Sequence, residues 1–261
     1  MKSAKLPASP ISRMVLLALV IILAAGAVAL AKPDIARVTS LIEYGYAWVC
    51  ARSLPMAFIQ FREAAAQDSA NAESRVMLGI INHINGDDRQ ALEQWAQAES
   101  LGDMAAAALA ADVLYTNGQL DEAEAAYQRT LIADPEAVKA LYGLALIAEK
   151  KGKDNEAIDN LNKVVASFNK DPYYELPQAY YHLGKLQLAA NNTAAALEAL
   201  ERGALLAPHD ADMNLVLAQA YEAKGDIPEA LHAFEHTLQL SPKLAPALEG
   251  LKRLKAKTST P

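Results

Sequence analysis

At 261 residues, with 21% charged and 52% hydrophobic side chains, the chain has the composition of an ordered protein, which excludes disorder as its global state. Aromatic residues make up 6%, and the apolar content comes mainly from Ala and Leu rather than from alternating Val and Ile, so the pattern favours helices over strands and predicts an all-α protein. The net charge of −7 is unevenly spread: residues 1–37 carry +4 and residues 245–261 carry +3, leaving −14 between them, a balance that argues against nucleic acid as a partner.

In chain order, residues 1–13 hold Lys2, Lys5 and Arg13 without an acid and predict a basic cytoplasmic tail. Residues 14–31, MVLLALVIILAAGAVALA, contain no charge; at about 1.5 Å each, such a helix spans roughly 27 Å, near the minimum for a hydrocarbon core of about 30 Å. This segment predicts a transmembrane anchor. The alternative is a cleaved signal peptide, because the run ends in the A-x-A-like Ala29-Leu30-Ala31. Both readings send the residues after 31 across the membrane. A short linker, 32–37, follows.

From residue 38 the sequence repeats. NGQLDEAEAAYQRTLIADP, KGKDNEAIDNLNKVVASFN and KGDIPEALHAFEHTLQLSP each place a Gly, an Ala five residues later and a bulky residue four beyond that. Extending this register gives six units, 38–71, 72–103, 104–137, 138–176, 177–210 and 211–244; the second is two residues short and the fourth carries an insertion around KDPYYEL. Position 8 of the units reads Gly45, Gly79, Ala111, Ala145, Gly184 and Ala218, and position 20 is Ala57, Ala91, Ala123, Ala157, Ala196 and Ala230. Position 24 is Phe61, Trp95, Tyr127, Leu161, Leu200 and Phe234, while Pro135, Pro208 and Pro242 close three units. Position 15 is Gly in four units, Asn191 in the fifth and Arg52 in the first. Residues 245–256 place Leu248, Leu251 and Leu254 at a three-residue spacing with Lys and Arg opposite, as a capping helix does, and 257–261 read as a frayed tail.

A period of 34 residues with a small residue at position 8, Ala at 20, a bulky one at 24 and Pro at 32 resembles the tetratricopeptide repeat. The resemblance implies a right-handed superhelical solenoid of about six helix-turn-helix units. Positions 8 and 20 mark the close crossing of helices A and B, which only Gly or Ala allows, and position 15 ends helix A in the left-handed conformation.

Candidate chemistry is sparse. His232 and His236 lie four apart on one helix, but no third ligand accompanies them, and the chain has no C-x-x-C, phosphate-binding glycine loop or G-x-S-x-G. Asp87-Asp88 and Asp121-Glu122 sit where B helices start, so capping and dipole effects explain them. No catalytic residue, metal site or cofactor is expected, and the chain reads as a non-enzyme. Cys50, the single cysteine, has no partner for an internal disulfide and reads as a small residue at the inner edge of the first unit.

Binding remains. The resemblance implies that positions 2, 5, 9, 12 and 13 of each helix A line a concave groove, where they include Tyr46, His83, Asp112, Tyr115, Lys139, Tyr142, Gln178, Tyr181, Lys185, Gln219 and Glu222. Four tyrosines give rigid amphipathic surface of the kind enriched at protein interfaces. The Lys and Asn pair by which some members clamp a chaperone's C-terminal carboxylate is absent from positions 5 and 9 of every unit from the second to the sixth. The chain is also similar to membrane-anchored bacterial envelope proteins of this architecture. That similarity implies an inner-membrane scaffold with periplasmic repeats, or a periplasmic one after cleavage near Ala31, holding a peptide or a membrane-associated partner during assembly of a cytochrome c maturation, pilus, secretion or polysaccharide system. A permanent accessory subunit of a membrane enzyme complex is the alternative, and an organelle-surface receptor with cytosolic repeats a further one.

Overall fold

The computed structural model describes residues 33–167 and 176–258. The basic tail 1–13, the apolar segment 14–31, residues 259–261 and all but the last residue of the KDPYYEL insertion lie outside the described residues. Among the described residues, no helix is long and apolar enough to cross a membrane.

Thirteen α-helices, and no strand, make up the described residues. They run as antiparallel pairs: α1 (Ile35–Cys50) with α2 (Leu54–Gln67), α3 (Ala72–Ile84) with α4 (Asp88–Ser100), and α5 (Ala105–Thr116) with α6 (Leu120–Ala133). Then come α7 (Val138–Lys150) with α8 (Asp154–Ala166), α9 (Leu176–Ala189) with α10 (Thr193–Leu206), and α11 (Ala211–Lys224) with α12 (Ile227–Leu240). A single helix, α13 (Ala245–Thr258), ends the stack. Each helix packs mainly on its sequence neighbours, and helices two apart touch, as in α5 with α7 and α9 with α11. The fold is an all-α repeat solenoid.

Local sequence explains where the helices begin and end. Asp34, Asn71, Asp87 and Asp210 cap helices by accepting a backbone N–H two or three residues on, which satisfies donors with no intrahelical partner. Pro135, Pro208 and Pro242 each follow the last residue of a B helix by two positions. All six position-15 residues have positive φ, from 57° at Arg52 and 61° at Asn191 to 82° at Gly86 and Gly225. Ser53 occupies the cap position of α2 but makes no capping hydrogen bond, so Pro55 in the first turn is the stronger start signal there.

Packing depends on the small residues. Every position-20 alanine is fully buried, and the position-24 side chains are 3% exposed or less. These bulky groups need space that a Cβ would fill. A Cβ on Gly45, Gly79 or Gly184 would overlap Phe61, Trp95 or Leu200 of the same unit; Gly143 and Gly250 instead make room for Tyr127 and Phe234 of the preceding unit. The third and sixth units, whose own position 8 is Ala, thus find the missing volume in the next helix A. The buried residues form six small clusters along the stack rather than one core, as a repeat array requires.

The capping helix differs from the expected leucine stripe. Leu254 is buried and Leu251 partly so, but Leu248 is exposed, because α13 turns Ala247 and Gly250 inward to receive the Phe234 ring. The helix also continues through Lys257 and Thr258. At the opposite end Ile35, Tyr44 and Trp48 are exposed. Positions 7 and 11 rest on the preceding B helix in later units, as with Leu183 and Leu217, and none precedes α1 among the described residues.

Candidate functional site

The A helices α1, α3, α5, α7, α9 and α11 carry the eleven groove candidates, and their polar side chains are tied from one A helix to the next. Tyr46 donates its hydroxyl to Glu73 at 2.8 Å and meets Phe61 edge-on at 5.3 Å. Burial and then the carboxylate of Glu73 push the Tyr46 phenol up to about 12, so it stays a donor at neutral pH. Lys139 meets Asp112 at 2.5 Å, and Asp112 also accepts the Tyr127 hydroxyl at 2.5 Å. Lys185 and His182 both bond Glu149, at 2.8 and 2.6 Å. Glu222 is gripped by both arms of Arg253, at 2.8 and 2.6 Å.

These contacts repeat with the solenoid. Position 9 reaches position 2 of the next unit in the first and third units; position 12 reaches position 9 of the next A helix in the fourth unit and at the cap. Burial pushes the Glu149 carboxyl up, but the Lys185 and His182 contacts outweigh it and leave the group below the usual carboxylate range. The Arg253 hydrogen bond does the same for Glu222, against the opposing effect of burial. Exposed pairs of this kind contribute little stability each, about 0–1 kcal/mol. They link each A helix to the next and pair the charges of Asp112, Lys139, Glu149, Lys185, Glu222 and Arg253 along this face.

At the centre of the stack the floor opens. The recess between α5 and α7 measures about 290 Å³ and is lined by Asp112, Tyr115, Thr116, Tyr127, Lys139, Tyr142, Gly143 and Leu146. Lys150 sits 4.1 Å above the Tyr115 ring. Four sequence candidates, Asp112, Tyr115, Lys139 and Tyr142, therefore converge. Tyr142 is only 8% exposed and belongs to the buried cluster between α7 and α9, so it forms the wall of the recess rather than free surface.

The remaining candidates lie away from that recess. His83 is exposed and pairs with Asp88 at 2.6 Å. Tyr181 is half-buried against the His182 ring at 5.3 Å, Gln178 is exposed, and Gln219 is half-buried. Glu73, Glu149, Lys150 and Tyr127 contact these candidates but were not among them. The first three occupy positions 2, 12 and 13, and a search for opposite charges about one repeat apart would have found Glu149 with Lys185. Tyr127 hid in a core position; only its hydroxyl reaches the groove. Cys50 is exposed at the end of α1, and His236 is engaged with Asn214 at 3.1 Å.

Comparison with known proteins agrees with this architecture. The tetratricopeptide repeat profile matches residues 108–172 and 181–245. A curated relative, the cellulose synthase 1 operon protein C of Komagataeibacter xylinus, is 32% identical over 123 residues, which is 46% of this chain and 9% of that protein. The chain thus spans less than a tenth of that relative's length. Among solved structures, PilW, described as a widely conserved type IV pilus biogenesis factor, superposes with a TM-score of 0.62 at 16% identity, covering 83% of this chain and 97% of PilW. YrrB, described as a protein of this repeat type with an unusual peptide-binding site, gives 0.63 at 19% identity, covering 74% and 97%. At such identities the two structures show a shared fold.

Proposed function

Because the units are tetratricopeptide repeats forming a protein-interaction scaffold, we propose that this chain holds a peptide segment of a partner protein along its concave groove, centred on the Tyr115–Lys139 recess, during assembly of an envelope complex. The observation that carries this reading is the recess itself: half-exposed tyrosine and lysine side chains around a preformed hollow, on a face whose charges are already paired. The known roles of PilW, as a pilus biogenesis factor, and of an operon protein for cellulose synthesis support the envelope setting.

The tether is part of the proposal. The apolar segment 14–31 anchors the chain, the repeats stand on the periplasmic side, and the partner is membrane-associated. In support, the first unit leaves Ile35, Tyr44 and Trp48 uncovered only a few residues after that segment, where lipid or a membrane partner would cover them.

Site-specific photo-crosslinkers at Tyr115 and Tyr181 test the groove in living cells, with a crosslinker at the exposed Ile132 as control. The expected result is one partner captured from both groove positions and not from Ile132. Capture from Ile132 alone would refute the groove reading. Cys50, single and exposed, reports topology: a membrane-impermeant maleimide should label it in intact spheroplasts, and labelling only after lysis would place the repeats in the cytoplasm.

A further inference from the structure

A second recess, of about 340 Å³, opens between the B helices α2 and α4 over α3. It shares no residue with the groove positions, and some of its polar groups lack partners. The Nε of Arg75 is buried without a hydrogen bond; one terminal nitrogen of the same guanidinium bonds Gln94 at 3.2 Å. Asn82 is 7% exposed and its side-chain amide has no hydrogen-bond partner among the described residues. Arg62, on the pocket rim, lies 5.8 Å over the Phe58 ring and, like Arg75, forms no ion pair among the described residues.

The contrast with the rest of the molecule is informative. Arg37, Arg129, Arg202 and Arg253 each hold a carboxylate, and Arg52 and Arg89 form no ion pair among the described residues, but of all the arginines only Arg75 buries a nitrogen without a partner there. The other buried asparagine of an A helix, Asn214, is fully engaged: its amide donates to the carbonyls of Pro208 and Asp210, and its oxygen meets His236. Leaving a buried polar group unpaired is costly, more so for a charged one, so the unpaired Nε of Arg75, with the exposed Arg62 at the rim of the same hollow, calls for an anion. A guanidinium donates in a planar fork that matches a carboxylate, and Phe58, Leu78 and Ala65 give the hollow an apolar floor.

We propose that this recess binds a carboxylate flanked by an apolar group, with Arg75 and Arg62 on the carboxylate, Asn82 on its neighbouring polar atom, and the apolar group against Phe58 and Leu78. The ligand is a free small carboxylic acid or the C-terminal residue of a peptide. It sits on the opposite register of the repeats from the groove, so it serves as a second contact, independent of the groove partner.

The test is calorimetric titration of the full chain in neutral detergent and chloride-free buffer with N-acetyl-leucine, its amide, an acetylated tetrapeptide ending in leucine, and inorganic phosphate. N-acetyl-leucine should bind and its amide should not. Tighter binding of the tetrapeptide identifies a chain end as the source, and equal binding identifies a free acid. Arg75→Met and the surface change Arg62→Ala should each weaken binding at least about tenfold. Arg75→Met should melt close to the parent in ligand-free buffer, since removing the unpaired buried Nε offsets the loss of the Gln94 hydrogen bond. No binding of either carboxylate up to about 10 mM, tighter binding of phosphate, or affinity unchanged in both variants would overturn the proposal.

Discussion

Replacing Gly143 with Ala tests the way the units accommodate their bulky side chains. In an exposed helix interior the change stabilises by about 1 kcal/mol, because Gly loses more backbone entropy than Ala. Here the new Cβ would lie within 2.7 Å of Tyr127 Cε1 and nearer still to Cζ and Cε2. Tyr127 is 3% exposed, so its ring has no free volume to enter, and overpacking of this kind costs about 1–3 kcal/mol. Displacing the ring also strains the Tyr127–Asp112 hydrogen bond, whose charged acceptor makes it worth up to about 1.5–3 kcal/mol. The net expectation is a loss of about 1–4 kcal/mol, or a melting temperature lower by about 2–4 °C per kcal/mol. The decisive assay is a double-mutant cycle by thermal or urea melting. Leu161 occupies position 24 of the fourth unit with no glycine against it, so in a Tyr127→Leu background Gly143→Ala should be neutral or stabilising, with a coupling of at least about 1 kcal/mol. A single mutant as stable as the parent, or additive effects, would refute the reasoning.

Arg52 holds φ 57° where four other units have Gly, so Arg52→Gly should stabilise by about 0.5–1 kcal/mol, the relief of the left-handed backbone less the entropy of Gly in the unfolded chain; a lower melting temperature would count against it. Tyr115→Ala with Lys139→Ala should weaken partner capture while leaving the circular dichroism melt within about 1 kcal/mol of the parent, whereas Tyr142→Ala, at a buried wall, should cost about 3–5 kcal/mol. Glu149 and Glu222 are held below the ordinary glutamate value of 4.5, so the stability they contribute is present above that pH and is lost as the pH falls through their lower native values. Glu149→Gln and Glu222→Gln should therefore lower the melting temperature at pH 7 and flatten its decline below about pH 4.5; equal slopes in parent and variants would remove these pairs as a cause of acid unfolding.

How much was legible in advance depended on whether an interaction repeats. The small residues at positions 8 and 20, the bulky one at 24 and the turn at 15 recur because every unit must solve the same close crossing of two helices. One chain therefore contains six statements of the same constraint, which is why Asn191 could be placed in the left-handed turn, while Arg52, which reads as an atypical turn, takes the same conformation. The groove candidates followed from the same register, and Asp112, Tyr115, Lys139 and Tyr142 do converge on one recess.

What the register could not say is what each side chain does when its neighbour arrives. Lys139 and Lys185, placed at groove positions, are paired with Asp112 and Glu149; Tyr142 read as surface but is buried; Leu248 read as core but is exposed. The need for glycine at positions 143 and 250, and the unpaired Arg75 and Asn82 between two B helices, belong to the contact between units. By itself the sequence determined the units, their helices and the faces they bury, because those follow from short-range periodicity and steric demands within each pair. Only the tertiary structure decided which charges neutralise each other and which polar groups are left without a partner, because that depends on distances between side chains about one repeat apart, where a fraction of a helical turn changes the partner.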